Sequence, residues 1–255
     1  MGRDLEKYLR HDIKSTPFCP GCGHGILMNS ILRAIDGLGI DMKEMLFVSG
    51  IGCAAWIPSP HFNADTLHTL HGRAIAFATG AKMFNPKLNV MVISGDGDLA
   101  SIGGNHLIHA ARRDTDLTVI CANNMIYGMT GGQVAPTSPQ GASTATTVQG
   151  NRDRPFDLCA LVQSAGASYV ARYAVTQPLL LMEAIQKAFR EKGFGFVEVL
   201  SPCPTQFGRR NRYDSPAHMM KWLMEACITK EAAETTEPEA LKDKIITGEF
   251  CHGRH

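Results

Sequence analysis

Two short apolar runs that each end in polar residues constrain the fold of this chain more than any other feature. Residues 90–93 (VMVI) lead into Gly-Asp-Gly at residues 95–97, and residues 117–122 (LTVICA) lead into Asn-Asn at residues 123–124. Such runs, rich in β-branched residues, are typical of buried strands in a parallel sheet. Apolar residues recur at helical spacing between them. The sequence therefore predicts an α/β fold with a doubly wound, mostly parallel sheet and helices on both faces.

The ends of these two strands carry oxygen ligands suited to Mg²⁺. Open parallel sheets bind ligands at the carboxyl ends of their strands, so Asp96 and Asn124 are expected to lie together. Mg²⁺ usually takes one or two protein side chains and completes its shell with phosphates and water. Gly95 and Gly97 would let the backbone approach closely, and the next helix would direct N–H groups at phosphates. Each motif alone could be an ordinary turn, but together they favour a magnesium diphosphate site.

Composition excludes several classes of function. The chain has 255 residues, 44% of them apolar, and a net charge of +1, which gives no indication of a nucleic-acid or membrane partner. No apolar run approaches the roughly 20 residues of a membrane span, and the first fifteen residues are too charged for a secretory signal. With no such signal, the eight cysteines are expected to be thiols or metal ligands in a cytoplasmic protein.

Four cysteines lie in loops where they could share one metal group. Cys19 and Cys22 form a Cys-Pro-Gly-Cys turn, and Cys53 and Cys203 each follow an apolar strand-like run. The spacing leaves three interpretations open: a zinc site, a redox pair restricted to the first two, or an iron–sulfur cluster. The other four cysteines lie in apolar, helical or tail segments and are expected to be ordinary thiols.

These motifs resemble a known family. The residues from 95–97 to 123–124 are similar to the thiamine-diphosphate motif, in which GDG and NN are separated by a segment such as residues 98–122. Residues 127–133 (YGMTGGQ), with Pro136-Thr137 after them, look like a loop of the β subunits of 2-oxoacid:ferredoxin oxidoreductases. Residues 104–113 are most similar to the 2-oxoglutarate branch. The resemblance covers about residues 17–213.

The resemblance implies a set of site residues. It implies a thiamine-diphosphate-binding domain in which Asp96 and Asn124 bind Mg²⁺ through their side chains and Ile126 through its backbone oxygen. It decides the cysteine question in favour of a 4Fe–4S cluster on Cys19, Cys22, Cys53 and Cys203. The segment around His71 and Arg73 would line the cofactor. The full set of expected cofactor contacts is Gly52, Cys53, His71, Gly72, Gly95, Asp96, Gly97, Asp98, Asn124, Tyr127, Gly128, Met129 and Thr130.

The resemblance also implies a reaction and partners. A thiamine cofactor beside an iron–sulfur cluster implies oxidative decarboxylation of a 2-oxoacid with coenzyme A and ferredoxin, or the reverse carboxylation. A thiamine enzyme also needs a glutamate at the cofactor's aminopyrimidine ring. By resemblance an α subunit supplies it, so a hetero-oligomer is expected and this chain alone should be inactive.

Several alternatives stay open from the sequence. Trp56 is apolar where a polar residue would suit a dicarboxylate, so pyruvate, branched-chain and aryl 2-oxoacids stand beside 2-oxoglutarate. A non-redox thiamine decarboxylase subunit with a zinc knuckle is a different class of function, as is a non-catalytic metal-binding protein. Residues 1–230 are expected to form the α/β domain with an N-terminal arm, and residues 231–255 a charged tail that packs on a partner or frays. Residues 133–153 are expected to form a long functional loop.

Overall fold

The structure is a computed structural model that describes residues 5–13 and 15–252. The parts of the predicted N-terminal arm at residues 1–4 and 14, and the part of the predicted tail at residues 253–255, lie outside the described residues. The strands in chain order are β1 (Met45–Ser49), β2 (Asp65–His68), β3 (Asn89–Gly95), β4 (Leu117–Asn123), β5 (Tyr169–Ala174), β6 (Phe194–Leu200), β7 (Cys227–Thr229) and β8 (Ile245–His252).

Helices connect most of these strands. They are α1 (His24–Leu38), α2 (Ala74–Phe84), α3 (Gly104–Arg112), α4 (Leu158–Ala165), α5 (Pro178–Arg190), α6 (Pro216–Ala226), α7 (Lys230–Glu234) and α8 (Pro238–Leu241). Local sequence sets their ends. Asp157 caps α4 by accepting the Ala160 N–H, and Ser215 caps α6 in the same way through the His218 N–H. Gly39, with φ 69°, ends α1 in the left-handed conformation that favours glycine.

The strands form a single sheet in the order β2-β1-β3-β4-β6-β5-β8-β7. Strands β1 to β6 are all parallel, whereas β8 pairs antiparallel with β5 and carries β7 beside it. The predicted doubly wound, mostly parallel sheet is confirmed. In the described part of the chain no helix has the length and apolar character needed to cross a membrane.

Helices cover both faces of the sheet because successive strand residues point to opposite sides. Phe47 and Met91 join the core beneath α1 and α5. Their neighbours Val48 and Val92 join the core beneath α2, α3 and α4. This burial on both faces explains why the central strands read as continuous apolar runs.

The predicted tail differs from the expectation. Residues 230–252 are not a separate extension, because β8 pairs with β5 and β7 in the sheet and α7 contacts both β7 and β8. Thr247, in the middle of β8, is fully buried. The sequence did not predict β8 because the charged residues 230–244 precede it. This strand pairs with β5 at the edge of the parallel part of the sheet. The prediction also lacked β2, whose four residues are half exposed and carry no apolar run.

Candidate functional site

Four neighbouring strands bring the predicted site residues to one edge of the sheet. Asp96 follows β3 directly and Asn124 follows β4 directly. Cys53 begins a short 3₁₀ turn after β1, and Cys203 comes three residues after β6. Since these strands are parallel, all four residues lie at the carboxyl edge, where open α/β sheets bind ligands.

A cavity of about 360 Å³ lies at this edge. All but one of the expected cofactor contacts line this cavity. They are Gly52, Cys53, His71, Gly95, Asp96, Gly97, Asp98, Asn124, Tyr127, Gly128, Met129 and Thr130. Ile126 lines it as well, whereas Gly72 and Arg73 do not. Five further residues of the cavity wall were not among the expected contacts: His24, Ile51, Ala54, Ala122 and Gln133.

Asp96 is a carboxyl group held out of water at the floor of the cavity. Its side chain is 2% exposed and accepts a hydrogen bond from the Thr137 hydroxyl. Burial raises the pKa of Asp96 to about 6, against the opposing effect of hydrogen bonds from Thr137 and from the Asn124 and Gly97 backbone. A divalent cation would favour the ionised form of this group, so the site suits Mg²⁺. Sequence reasoning did not assign a role to Thr137, which reaches Asp96 only through the folded long loop.

The loop after β4 is fixed tightly against the loop after β3. Tyr127 donates its hydroxyl proton to the Gly97 carbonyl at 2.9 Å. A Cβ atom on Gly97 would lie 2.5 Å from the Tyr127 ring, so only glycine fits there. Asn124 accepts the Ile126 N–H through Oδ1 at 3.2 Å, which turns the chain back towards the cavity. Asn124 and Ile126 can therefore offer oxygens to the same ion as Asp96.

Asp98 was predicted as a cofactor contact, and the structure also gives its carboxylate a second set of partners. It lines the cavity, but its carboxylate is 3% exposed and is occupied by protein donors. Ser94 Oγ donates to Oδ2 at 2.6 Å, and the Ile51 and Gly72 N–H groups donate to Oδ1 at 3.1 and 2.8 Å. Asp98 thus joins the loops after β1, before α2 and after β3.

Of the three residues His71, Gly72 and Arg73, only His71 lines the cavity. His71 lines the cavity, and its Nδ1 lies 2.6 Å from Asp98 Oδ1 and 3.2 Å from the Ile51 carbonyl. Since both neighbours are acceptors, Nδ1 carries the proton, and Nε2 is the acceptor in the neutral ring. Arg73 does not line the cavity, and its Nη1 lies 2.8 Å from His106 Nε2. Its expected cofactor contact stays a prediction.

The four predicted cysteines line a second cavity of about 250 Å³, which adjoins the first. The turn of Cys19 and Cys22 is held beside Cys203 by the Gly23 N–H, which donates to the Pro202 carbonyl at 3.3 Å. A Cβ atom on Gly23 would lie 2.5 Å from Ser201 Oγ, so this approach requires glycine.

The electrostatics of these cysteines suit a cationic metal group. Burial is the largest effect on Cys22 and Cys53 and raises the pKa of these thiols to about 12 and about 11. The nearby Cys19 and Cys203 act in the same direction. Thiols of this kind become thiolates only beside a strong positive charge. Within the described ranges, no three His, Cys, Asp or Glu side chains are grouped closely enough to hold one metal ion.

The two cavities share a wall. Cys53, Asn124, Gly128, Met129 and His24 line both of them. A Cβ atom on Gly128 would lie 3.4 Å from Cys203 Sγ and 3.7 Å from Cys53 Sγ. The first cavity and the cysteines are therefore separated mainly by the backbone at Gly128.

His24 is the wall residue that sequence reasoning left unassigned. It is 1% exposed, and its Nδ1 lies 2.9 Å from Ser201 Oγ. Burial lowers its pKa to about 4, so the ring is neutral. The only sequence signal was its position directly after the Cys-Pro-Gly-Cys-Gly turn.

Comparison with known proteins identifies the family. Residues 50–199 match the model of the thiamine pyrophosphate enzyme C-terminal TPP binding domain. The chain is 52% identical to the 2-oxoglutarate synthase subunit KorB of Methanothermobacter marburgensis, over 96% of this chain and 86% of that protein. It is 50% identical to the subunit of the same name from Methanocaldococcus jannaschii, over 96% and 90%. The chain belongs to the family of 2-oxoacid:ferredoxin oxidoreductase β subunits.

A solved structure agrees with this assignment. The 2-oxoglutarate:ferredoxin oxidoreductase from Magnetococcus marinus, with 2-oxoglutarate, coenzyme A and succinyl-CoA bound, superposes with a TM-score of 0.86 at 32% identity. The match covers 99% of this chain and 86% of that chain. The predicted family and the thiamine-diphosphate-binding fold are thus confirmed for a 2-oxoacid:ferredoxin oxidoreductase β subunit, while the roles of single residues stay predictions.

Proposed function

We propose that this chain is the β subunit of a 2-oxoglutarate:ferredoxin oxidoreductase. With a partner α subunit it converts 2-oxoglutarate, coenzyme A and oxidised ferredoxin into succinyl-CoA, CO₂ and reduced ferredoxin, or catalyses the reverse carboxylation. The single observation that carries this proposal is the shared wall between the diphosphate cavity and the four-cysteine cavity. A non-redox thiamine enzyme has no need for metal-ligating thiols at that position.

The first cavity would hold thiamine diphosphate and Mg²⁺. Asp96 and Asn124 would bind the ion through their side chains and Ile126 through its carbonyl, with the diphosphate over Gly95 and Gly97. Bound thiamine diphosphate supplies the carbanion chemistry for cleavage of the carboxylate from the 2-oxoacid. Around it, Asp98 orients His71 so that Nε2 can accept a proton in the cavity.

The second cavity would hold a 4Fe–4S cluster on Cys19, Cys22, Cys53 and Cys203, which supplies one-electron acceptance. Gly128 lies between the two sites, and a larger residue there would press on the Cys203 and Cys53 sulfur atoms. Cys19 is the most exposed of the four thiols. Arg209, Arg210 and Arg212 are exposed, and Arg209 lines a surface pocket together with Pro20 of the Cys19–Cys22 turn, so this basic segment would meet an acidic ferredoxin.

The partner subunit completes the site. No glutamate is found among the described residues that line the first cavity, and thiamine enzymes need one at the aminopyrimidine ring. The names of the relatives describe subunits, which supports a hetero-oligomer with an α chain that supplies this glutamate. Purified alone, the 255-residue chain is expected to show no turnover.

The substrate follows from the relatives. KorB proteins and the Magnetococcus marinus enzyme are named for 2-oxoglutarate, and this supports the same acid here. Trp56 lines the cysteine cavity but not the first one, so it does not exclude a dicarboxylate from the thiamine site. A comparison of kcat/KM for 2-oxoglutarate, pyruvate, 3-methyl-2-oxobutanoate and an aryl 2-oxoacid tests this choice, and equal values would overturn it.

The decisive experiment is a metal, cofactor and activity assay on the αβ complex purified without oxygen. We expect about four irons per β chain and ferredoxin reduction that requires both 2-oxoglutarate and coenzyme A. Cys203→Ser should lower the iron content and abolish ferredoxin reduction, whereas Cys227→Ser, which is outside the cavity, should leave both unchanged. One zinc per chain in a colourless complex would support the non-redox alternative instead.

A further inference from the structure

A buried ion pair lies beneath the loop that carries Asn124. Glu198 on β6 and Arg172 on β5 are register partners and are 2% and 8% exposed. Arg172 Nε donates to Glu198 Oε2 at 2.7 Å, and its Nη2 donates to Asp157 Oδ1 at 2.5 Å. Buried ion pairs contribute little net stability because desolvation offsets their attraction. The geometry that this pair imposes on its neighbours therefore matters more than its own net stability.

The second oxygen of Glu198 holds Asn123. Asn123 Nδ2 donates to Glu198 Oε1 at 2.7 Å, and Asn123 Oδ1 accepts the Met125 N–H at 3.0 Å. The amide is thus fixed in one orientation, with its donor towards the ion pair and its acceptor towards the loop. Asn123 is 5% exposed, so water cannot replace either bond.

This amide determines the path of the loop. Met125 has a φ of 62°, a left-handed conformation that is unfavourable for a residue other than glycine. Two hydrogen bonds maintain this conformation: the Met125 N–H donates to Asn123 Oδ1, and Ser138 Oγ donates to the Met125 carbonyl at 2.6 Å. This turn places the Asn124 side chain and Ile126 at the cavity.

We infer that Glu198, held by Arg172, is a positioning residue for the cation–diphosphate site and acts through Asn123. Its carboxylate orients the Asn123 amide, and that amide sets the backbone that presents the oxygens of Asn124 and Ile126. The inference rests on the proposed function for the identity of the ligand, Mg²⁺ with thiamine diphosphate. Neither Glu198 nor Arg172 lines the cavity, so they act only through the loop.

The substitution Glu198→Gln tests this mechanism. The oxygen of the introduced glutamine will face the Arg172 guanidinium, so its NH₂ group will face the Asn123 donor and the bond between them is lost. We expect the Mg²⁺ concentration that half-saturates thiamine diphosphate binding to the αβ complex, measured by calorimetry, to rise about tenfold. The kcat at saturating Mg²⁺ and cofactor should stay within about threefold, because the ligands themselves remain.

Two further variants separate positioning from general destabilisation. Asp157→Asn removes a carboxylate from the same Arg172 but does not touch Asn123, and asparagine can still cap α4. It should leave the half-saturating Mg²⁺ concentration within about twofold. The double variant Asn123→Asp with Glu198→Gln reverses donor and acceptor, since the introduced glutamine can donate to a carboxylate that still accepts the Met125 N–H. It should restore Mg²⁺ affinity to within about threefold or better.

Three results would overturn the inference: an unchanged Mg²⁺ dependence in Glu198→Gln, an equal shift in Asp157→Asn, or no recovery in the double variant. If Glu198→Gln fails to assemble, Asn123→Asp alone places two carboxylates together and must show the same rise. A wild-type complex that binds no thiamine diphosphate at any Mg²⁺ concentration would instead overturn the proposed function.

Discussion

At the scale of single residues, Asp98 shows how a cavity-lining carboxylate can serve the scaffold. The groups around it are all hydrogen-bond donors: a hydroxyl, two backbone N–H groups and the His71 ring. Only a group with two acceptor oxygens satisfies them. The loops that frame the cavity therefore depend on its charge.

Asp98→Asn should lower the free energy of unfolding by about 3 kcal/mol, because one acceptor becomes a donor that faces donors in a buried site. Urea denaturation of the purified chain measures this change. Asp116→Asn, which removes a half-exposed partner of Lys82, is the matched control and should cost less than about 1 kcal/mol. Equal effects of the two substitutions would contradict the assigned role of Asp98.

The contact between Arg73 and His106 predicts that folding stability depends on pH. Burial first and the Arg73 charge second lower the pKa of His106. The unfolded chain therefore takes up a proton between the lowered pKa and the ordinary value of about 6.5, and folding stability falls as pH drops through that window. Arg73→Gln should raise the pKa of His106 part of the way back and reduce the loss of stability between about pH 8 and pH 5.

Labelling of neutral imidazoles with diethyl pyrocarbonate, read peptide by peptide across pH, measures this change at His106. Arg112→Gln is the control, because Arg112 is not among the charges that lower the pKa of His106. Since Arg73 does not line the cavity, Arg73→Gln should also leave thiamine diphosphate binding within about twofold. A large loss of binding would restore the cofactor role predicted from the sequence.

The sequence predicted which residues lie near one another wherever the backbone topology alone decides their position. Asp96, Asn124, Cys53 and Cys203 follow parallel strands, so their meeting point is a property of the fold. The sequence could not show which side chains of a segment line the cavity: His71 does, whereas Arg73 two residues later does not. It also missed Thr137, because the hydrogen bond to Asp96 depends on how the long loop folds back.

At the scale of elements, glycines decide how closely loops and helices approach. Gly72 precedes α2 with a φ of 72°, and a Cβ atom there would lie 2.1 Å from Ile102 Cγ2 and 2.9 Å from the Gly103 nitrogen. Gly80, inside α2, has open space around it. The same substitution should therefore have opposite effects at the two positions.

Gly72→Ala should destabilise the chain by at least about 2 kcal/mol through backbone strain and the clash with Ile102. Gly80→Ala should stabilise it by about 0.5–1 kcal/mol, because alanine loses less backbone entropy in a helix. Thermal unfolding of both variants measures the difference. A loss of stability in Gly80→Ala would show that residue 80 does not lie on an open face of α2.

Elements in the centre of the sheet were predictable and those at its edges were not. Residues 194–200 form a long apolar run and residues 178–190 an amphipathic pattern that begins with proline, and these strong local signals coincide with β6 and α5. The short edge strands β2 and β7 have no such pattern. Their structure comes from pairing with a neighbour rather than from their own residues.

At the scale of the whole molecule, β8 protects the far edge of the parallel sheet. It pairs antiparallel with β5, and its Phe250 ring lies 5.4 Å from the Arg172 guanidinium carbon. Unpaired strand edges invite pairing with other chains. The segment after residue 244 therefore contributes to solubility as well as to stability.

A chain truncated after residue 244 should lose at least about 3 kcal/mol of unfolding free energy and form oligomers, because β5 becomes an open edge. Urea denaturation and size-exclusion chromatography measure the two effects. Glu249→Gln removes the partly exposed Lys187 ion pair but keeps the strand, so it should cost less than about 1 kcal/mol. A truncated chain that is as stable and as monodisperse as the full chain would refute the role of β8.

The order of synthesis gives this strand another consequence. The ribosome completes β5 at residue 174 but must add residues 175–244 before β8 begins. At about 5–20 residues per second, that edge waits roughly 4–14 s without its final neighbour. During this interval, nascent chains on the same messenger RNA are most prone to associate through the unpaired edge of β5. Yield in a foreign host should therefore respond to elongation speed and to ribosome-associated chaperones.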